Sequence, residues 1–248
     1  MAIKEKDFIE VEYTAKEKET GNIFDTTDEK TAKDAGIYQE GQKFGSVVVC
    51  IGQGHLLKGL ELELIGKEAG DVKADKAGDV KADKAGDVKA DNGKGKAKKY
   101  SVELKAENAF GKKSAKMIQL IATNKFTKEG IRPQPGMQVN VDGMFGIVKT
   151  VTGGRVMVDF NHPLSGKDVI YTVKINKLVT DTLEKAKGLV SLQLGKDNVA
   201  VELRENDKKE KELTIKIKME LGKEYEQKFS DMIHELVPEL KKIIFIKG

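Results

Sequence analysis

Short segments in which apolar and charged residues alternate recur along this chain. No apolar run reaches the roughly 18 residues that a membrane-crossing helix needs. Alternation with period two is the pattern of a half-buried strand. It is clear at Ile9, Val11 and Tyr13 and again at Tyr100, Val102 and Leu104. VVVCI (47–51) reads as a buried strand, and DVIYTVKINKLV (168–179) as another. Between 114 and 160 the pattern changes. KMIQLIA, a short helical piece TNKFTKEG, the turn IRPQPG, then MQVNV and GIVKTVTGGRVMVDF read as a small strand-rich unit with a hairpin at Gly153-Gly154. Helical spacing is rarer. Residues 27–36 read as a short helix from Thr27 to Gly36. In 55–66, Leu57, Leu60 and Leu64 fit a helix and Leu60, Leu62 and Leu64 a strand, and the helix is favoured because Gly66 and Gly70 punctuate its end. The last stretch reads as two strands around a charged tip, Glu205 to Glu212, then a helix that Pro238 breaks, then a strand IIFI. Strands and helices segregated in this way predict an α+β protein.

One segment does not fit. AGDVKADKAGDVKADKAGDVKADN (69–92) is an octad written three times. Asp and Lys cancel within the first two octads, so no oxygen-rich calcium cage results. Gly70, Gly78 and Gly86 each cost a helix about 1 kcal/mol. One Val per octad is too little apolar surface to offset the entropy of ordering. The octads and the Lys/Gly run after them therefore read as a mobile surface insertion, 71–98, whose removal should leave the rest intact.

Composition narrows the chemistry. The 248 residues carry 44 Lys and Arg against 40 Asp and Glu, a net charge of +4. That balance implies no polyanion partner, so neither nucleic acid nor a membrane is expected to bind. Without an apolar leader the protein is expected in the cytoplasm. Cys50 is the single cysteine and sits in an apolar run, as a packed thiol does. His55, His162 and His234 lack metal-ligand spacing, so no metal and no cofactor are expected.

Read without 71–98, five motifs follow one another: VEYTA (11–15), IFDTT (23–27), GQGHLLKGLELEL (52–64), ENAFGKK (107–113) and NHPLSGKDVIYTVKI (161–175). In this order they resemble the FKBP-type peptidyl-prolyl cis-trans isomerases, and more closely the archaeal long form and the SlyD-type enzymes. The resemblance covers about 1–70 and 99–180. It implies an FKBP-like antiparallel sheet wrapped on a short helix (1–113 and 161–180), a small β-rich insert-in-flap domain (114–160) and a C-terminal α+β domain (181–248). Of the pocket residues that it implies, Tyr13, Asp25, Leu57, Phe110 and Tyr171 would act on the rotating bond. Phe24, Val47, Leu56 and Leu60 would line the apolar cleft. Asp25 would hold the Tyr13 hydroxyl or lie against the rotating carbonyl, and the Leu57 N–H would bind a substrate carbonyl. There are departures: Leu60 stands where small eukaryotic members have Trp, and Phe110 where they have Tyr. His162 reads as a turn-forming residue.

In the resembling proteins the insert holds unfolded chains on an exposed apolar face. Candidates here are Met117, Ile118, Leu120, Ile121, Phe126, Met137, Met144, Phe145 and Met157, of which half are expected to form the insert's own core. The implied function is proline isomerisation (rotamase) coupled to chaperone activity, with unfolded proline-containing chains as partners and a homodimer through 181–248. Two other readings stand beside it. One is a holdase without catalysis, because the flap lacks Tyr. The other is a ribosome- or RNA-associated module, suggested by the small-barrel look of 142–160 and the basic run GKGKAKK (93–99).

Overall fold

The computed structural model describes residues 1–70, 97–195, 199–206, 209–218 and 221–247. The octads beyond Gly70 lie outside the described residues. The chain divides into two compact units, one of residues 1–16, 21–102 and 170–248, the other of 17–20 and 103–169.

The first unit is built on β1 (Phe8–Glu17), which is flanked on one side by two shorter strands in series. β2 (Ile23–Thr26) pairs antiparallel with its second half, and β3 (Val47–Cys50) with its first half. With β4 (Lys98–Leu104) and a long strand, Val169–Val179 (β9), they form a five-stranded sheet in the order β2-β1-β9-β4, with β3 beside β1. Between β2 and β3 lies α1 (Glu29–Asp34). It starts two residues later than Thr27 because Asp28 caps it, its carboxylate accepting the Thr31 N–H at 2.8 Å. Gly36 follows in the left-handed region, φ +70°, as a helix-ending glycine does. α2 (Lys58–Leu64) buries Leu60, Glu61 and Leu64.

Beyond β9 the chain forms a helix that the periodicity did not disclose, α4 (Thr182–Leu194). β10 (Val199–Glu205) and β11 (Lys211–Ile217) then make an antiparallel pair around the charged tip. α5 (Lys223–Leu236) stops before Pro238, and β12 (Leu240–Lys247) returns parallel to β11. β12 begins at Leu240, before IIFI, and Leu240 is buried there. Ala186, Leu189 and Val190 of α4, Leu213 and Ile215 of β11, and Phe229 and Ile233 of α5 share one core with Phe8 and Cys50. Gly188 lets α4 lie against β3, because a Cβ there would stand 2.7 Å from the Val48 side chain.

The second unit contains β5 (Ile118–Ala122), α3 (Thr123–Lys128), β6 (Gln138–Val141), β7 (Met144–Thr152) and β8 (Arg155–Asp159). The strands form one sheet in the order β5-β8-β7-β6. Phe126, Val139, Val141, Val148, Val156, Val158 and Phe160 fill its core. Period two along β8 sends Val156 and Val158 inward and Met157 to the other face.

Candidate functional site

Tyr13 and Asp25 meet because of strand register. Ala15 of β1 lies opposite Asp25 of β2, and Tyr13, two residues back, points to the same face. The Tyr13 hydroxyl donates to Asp25 Oδ2 at 3.0 Å. The backbone around this pair is tied down. Thr27 N–H donates to the Tyr13 carbonyl at 2.9 Å, and the Tyr13 N–H donates to Thr27 Oγ1 at 2.9 Å. Tyr171 of β9 completes the cluster, its ring 6.0 Å from Tyr13 and 6.1 Å, edge-on, from Phe24. Such tilted contacts suit the ring quadrupoles.

Burial pushes the phenol of Tyr13 well above its ordinary range, and the Asp25 charge and hydrogen bond add to the effect. Burial, then the Asp25 charge, does the same to Tyr171. Both therefore stay neutral at physiological pH: a protonated donor and a half-buried carboxylate inside an aromatic wall.

The loop before α2 is organised by a residue that sequence reasoning passed over. Glu61 is buried, and its two carboxylate oxygens accept the backbone N–H groups of Gly52, Gly54 and Leu56 at 3.1 to 3.2 Å. A glycine-rich loop followed within ten residues by a carboxylate on an otherwise apolar helix face was the available signal. His55 Nδ1 accepts the Cys50 N–H at 3.0 Å, so the neutral ring carries its proton on Nε2. Burial lowers the His55 pKa, against the raising influence of Glu61. Burial, with Glu61 next, pushes the Cys50 thiol up to about 12, which keeps it unreactive. Leu57 sits at the start of α2, where N–H groups have no intrahelical acceptor. Leu60 is fully buried, Leu56 is half-buried, and Val47 borders a hollow beside α4.

Phe110 belongs to the second unit. It stacks on His162, with centroids 4.8 Å apart and planes within 1°. His162 Nδ1 accepts the Leu164 N–H at 3.2 Å, which is the turn-forming role, and the stacking comes in addition. Ser165 Oγ donates to the Phe110 carbonyl at 3.0 Å, and the Gly166 N–H to the Gly111 carbonyl at 2.7 Å. The ends of 114–160 are clasped as well. Asn161 accepts the Ser114 N–H through Oδ1 at 2.8 Å and donates from Nδ2 to the Ser114 carbonyl at 3.1 Å.

Of the nine apolar candidates in this unit, only Phe126 is buried, while Ile121 packs partly against the core and Met157 is half-buried. Met117, Ile118, Leu120, Met137, Met144 and Phe145 are exposed, Leu120 by 60% and Phe145 by 78%. Fewer than half are core, because the valines on the opposite strand faces fill it. Leu120 and Met157 lie directly across from one another on β5 and β8.

A mixed α+β protein with an aromatic cluster around a Tyr–Asp pair is the class that these features define. Residues 119–164 match the family model described as "FKBP26, IF domain". A relative described as a short-type peptidyl-prolyl cis-trans isomerase, from Methanocaldococcus jannaschii, is 27% identical over 173 residues, which cover 70% of this chain and 92% of the relative. Together the matched segment and the relative support an FKBP-type peptidyl-prolyl isomerase. Among the described residues, no helix is long and apolar enough to cross a membrane.

Proposed function

We propose that the chain is a peptidyl-prolyl cis-trans isomerase that rotates X–Pro bonds in the cleft of Tyr13, Phe24, Asp25 and Tyr171 and holds unfolded chains on its insert. The Tyr13–Asp25 hydrogen bond beside the Tyr171 and Phe24 rings is the observation that carries this reading. Amide resonance sets a barrier of about 18–20 kcal/mol to the rotation. No covalent bond breaks, so neither nucleophile nor metal is required. About 7 kcal/mol off the barrier accelerates rotation about 10⁵-fold. An apolar, ring-lined cleft favours the twisted amide, whose carbonyl is less polar once resonance is lost, over the planar one. In this reading the Leu57 N–H would donate to a substrate carbonyl, with Leu56, Leu60 and Val47 as apolar surroundings. The insert is 114–160, the isomerase domain 1–113 with 161–180, and the C-terminal domain 181–248.

The holding activity is supported by the exposed apolar side chains of Ile118, Leu120, Met137, Met144 and Phe145. Exposed apolar patches mark interaction surfaces, and methionine adapts to varied partners. A client held on the same chain meets the cleft at raised effective concentration. Refolding of a substrate limited by a prolyl bond is the test. Acceleration that falls in Asp25→Ala and Leu57→Ala supports catalysis. Suppressed aggregation without acceleration would leave the holdase alone.

A further inference from the structure

Beside α4 lies a hollow that shares only Val47 with the residues of the isomerase reading. Its volume is about 430 Å³, within the range of small-molecule sites. Gly188 brings α4 into tight contact with Val48, while Ser191 and Ser46 at the rim are too small to fill the space alongside. Val47, Val48 and Leu192 give it an apolar wall.

The polar wall decides the ligand class. Lys177 Nζ lies 2.7 Å from Glu184 and 3.7 Å from Glu10, and the Ser46 hydroxyl donates to Glu10. Two carboxylates around one ammonium leave one net negative charge, on side chains between 19% and 42% exposed. Lys187, which also borders the hollow, is exposed, so water and salt screen its charge. Coulomb interactions are stronger where solvent is partly excluded, so the half-buried carboxylates outweigh the solvated Lys187.

We propose that this hollow binds a small amphipathic amine, its ammonium donating to Glu10 and Glu184 and its aliphatic or aryl body covering Val48 and Leu192. An amphipathic carboxylate would instead face two carboxylates and bind less well.

The test is a calorimetric and NMR titration of the full chain with phenethylamine and, in parallel, with 3-phenylpropionate, its anionic counterpart. Phenethylamine should saturate the site and shift the Val48 and Leu192 methyl resonances, with 3-phenylpropionate at least tenfold weaker. Glu184→Gln should weaken the amine by about tenfold, the scale of one charge-assisted hydrogen bond. Ser191→Trp, which fills the hollow, should abolish binding, and Lys128→Ala, at an exposed position of the second unit, should leave it unchanged. Thermal melts of each variant separate lost binding from lost fold. Equal or tighter 3-phenylpropionate binding, amine binding that survives in folded Ser191→Trp, or no saturation by about 10 mM amine would each overturn the proposal.

Discussion

At the scale of single residues, the proposed cleft would depend on a neutral phenol, Tyr13, hydrogen-bonded to Asp25. Asp25→Ala removes one charge-assisted hydrogen bond, a loss of about 1.5–3 kcal/mol, and should cut kcat/KM by about 10- to 100-fold on a proline-containing peptide. Tyr13→Phe keeps the ring and should lose less. His55 gives a pH effect on stability. Its ordinary pKa is 6.5, and burial lowers it in the folded chain, so the unfolded chain takes up the proton first as pH falls. That component of stability is fully present above 6.5 and is lost as pH falls from there through the lower folded value. Urea unfolding should therefore show less stability at about pH 5.5 than at about pH 7.5, by a smaller margin in His55→Gln, which keeps an acceptor for the Cys50 N–H. An equal margin in both proteins would show that His55 does not contribute.

At the scale of elements, the contact between α4 and β3 makes a sharp prediction. In Gly188→Ala the new methyl meets Val48 at 2.7 Å, so stability should fall by about 1–3 kcal/mol in urea unfolding. Val48→Ala should relieve part of that cost, leaving a coupling term in the double-mutant cycle. The helix itself marks the limit of reading by periodicity. Strands with strict alternation, such as Ile9-Val11-Tyr13, were legible, and so were α2 and α5. α4 was not, because Gly188 and two lysines, Lys185 and Lys187, interrupt its apolar pattern. A capping pattern was present, Asp181 followed three residues later by Glu184. Asp181 does accept the Glu184 N–H at 2.8 Å, but Glu184 turns to Lys177 rather than back to the cap. The Tyr13–Asp25 pair was legible through its motifs. The Glu61 loop anchor left only the signal of a carboxylate on an apolar helix face after a glycine-rich loop, and the Phe110–His162 stack left none, because each depends on how the backbone is placed.

At the scale of the whole molecule, the insert is an excursion that starts and finishes at one place. Ser114 and Asn161 exchange two hydrogen bonds, so a short glycine linker can span the gap left by 115–160. Such a protein should keep its activity on short proline peptides, where the cleft suffices. Its acceleration of whole-protein refolding should fall by at least tenfold, toward the rate expected when a client must be met from bulk solution. Equal losses on both substrates would show that the insert supports the cleft itself. The Ser114–Asn161 clasp has one more implication. A segment knotted at its root looks the same to the rest of the chain whatever hangs beyond the knot. A lineage, or an engineer, can therefore exchange the hanging part for another recognition module without retuning what lies beneath it.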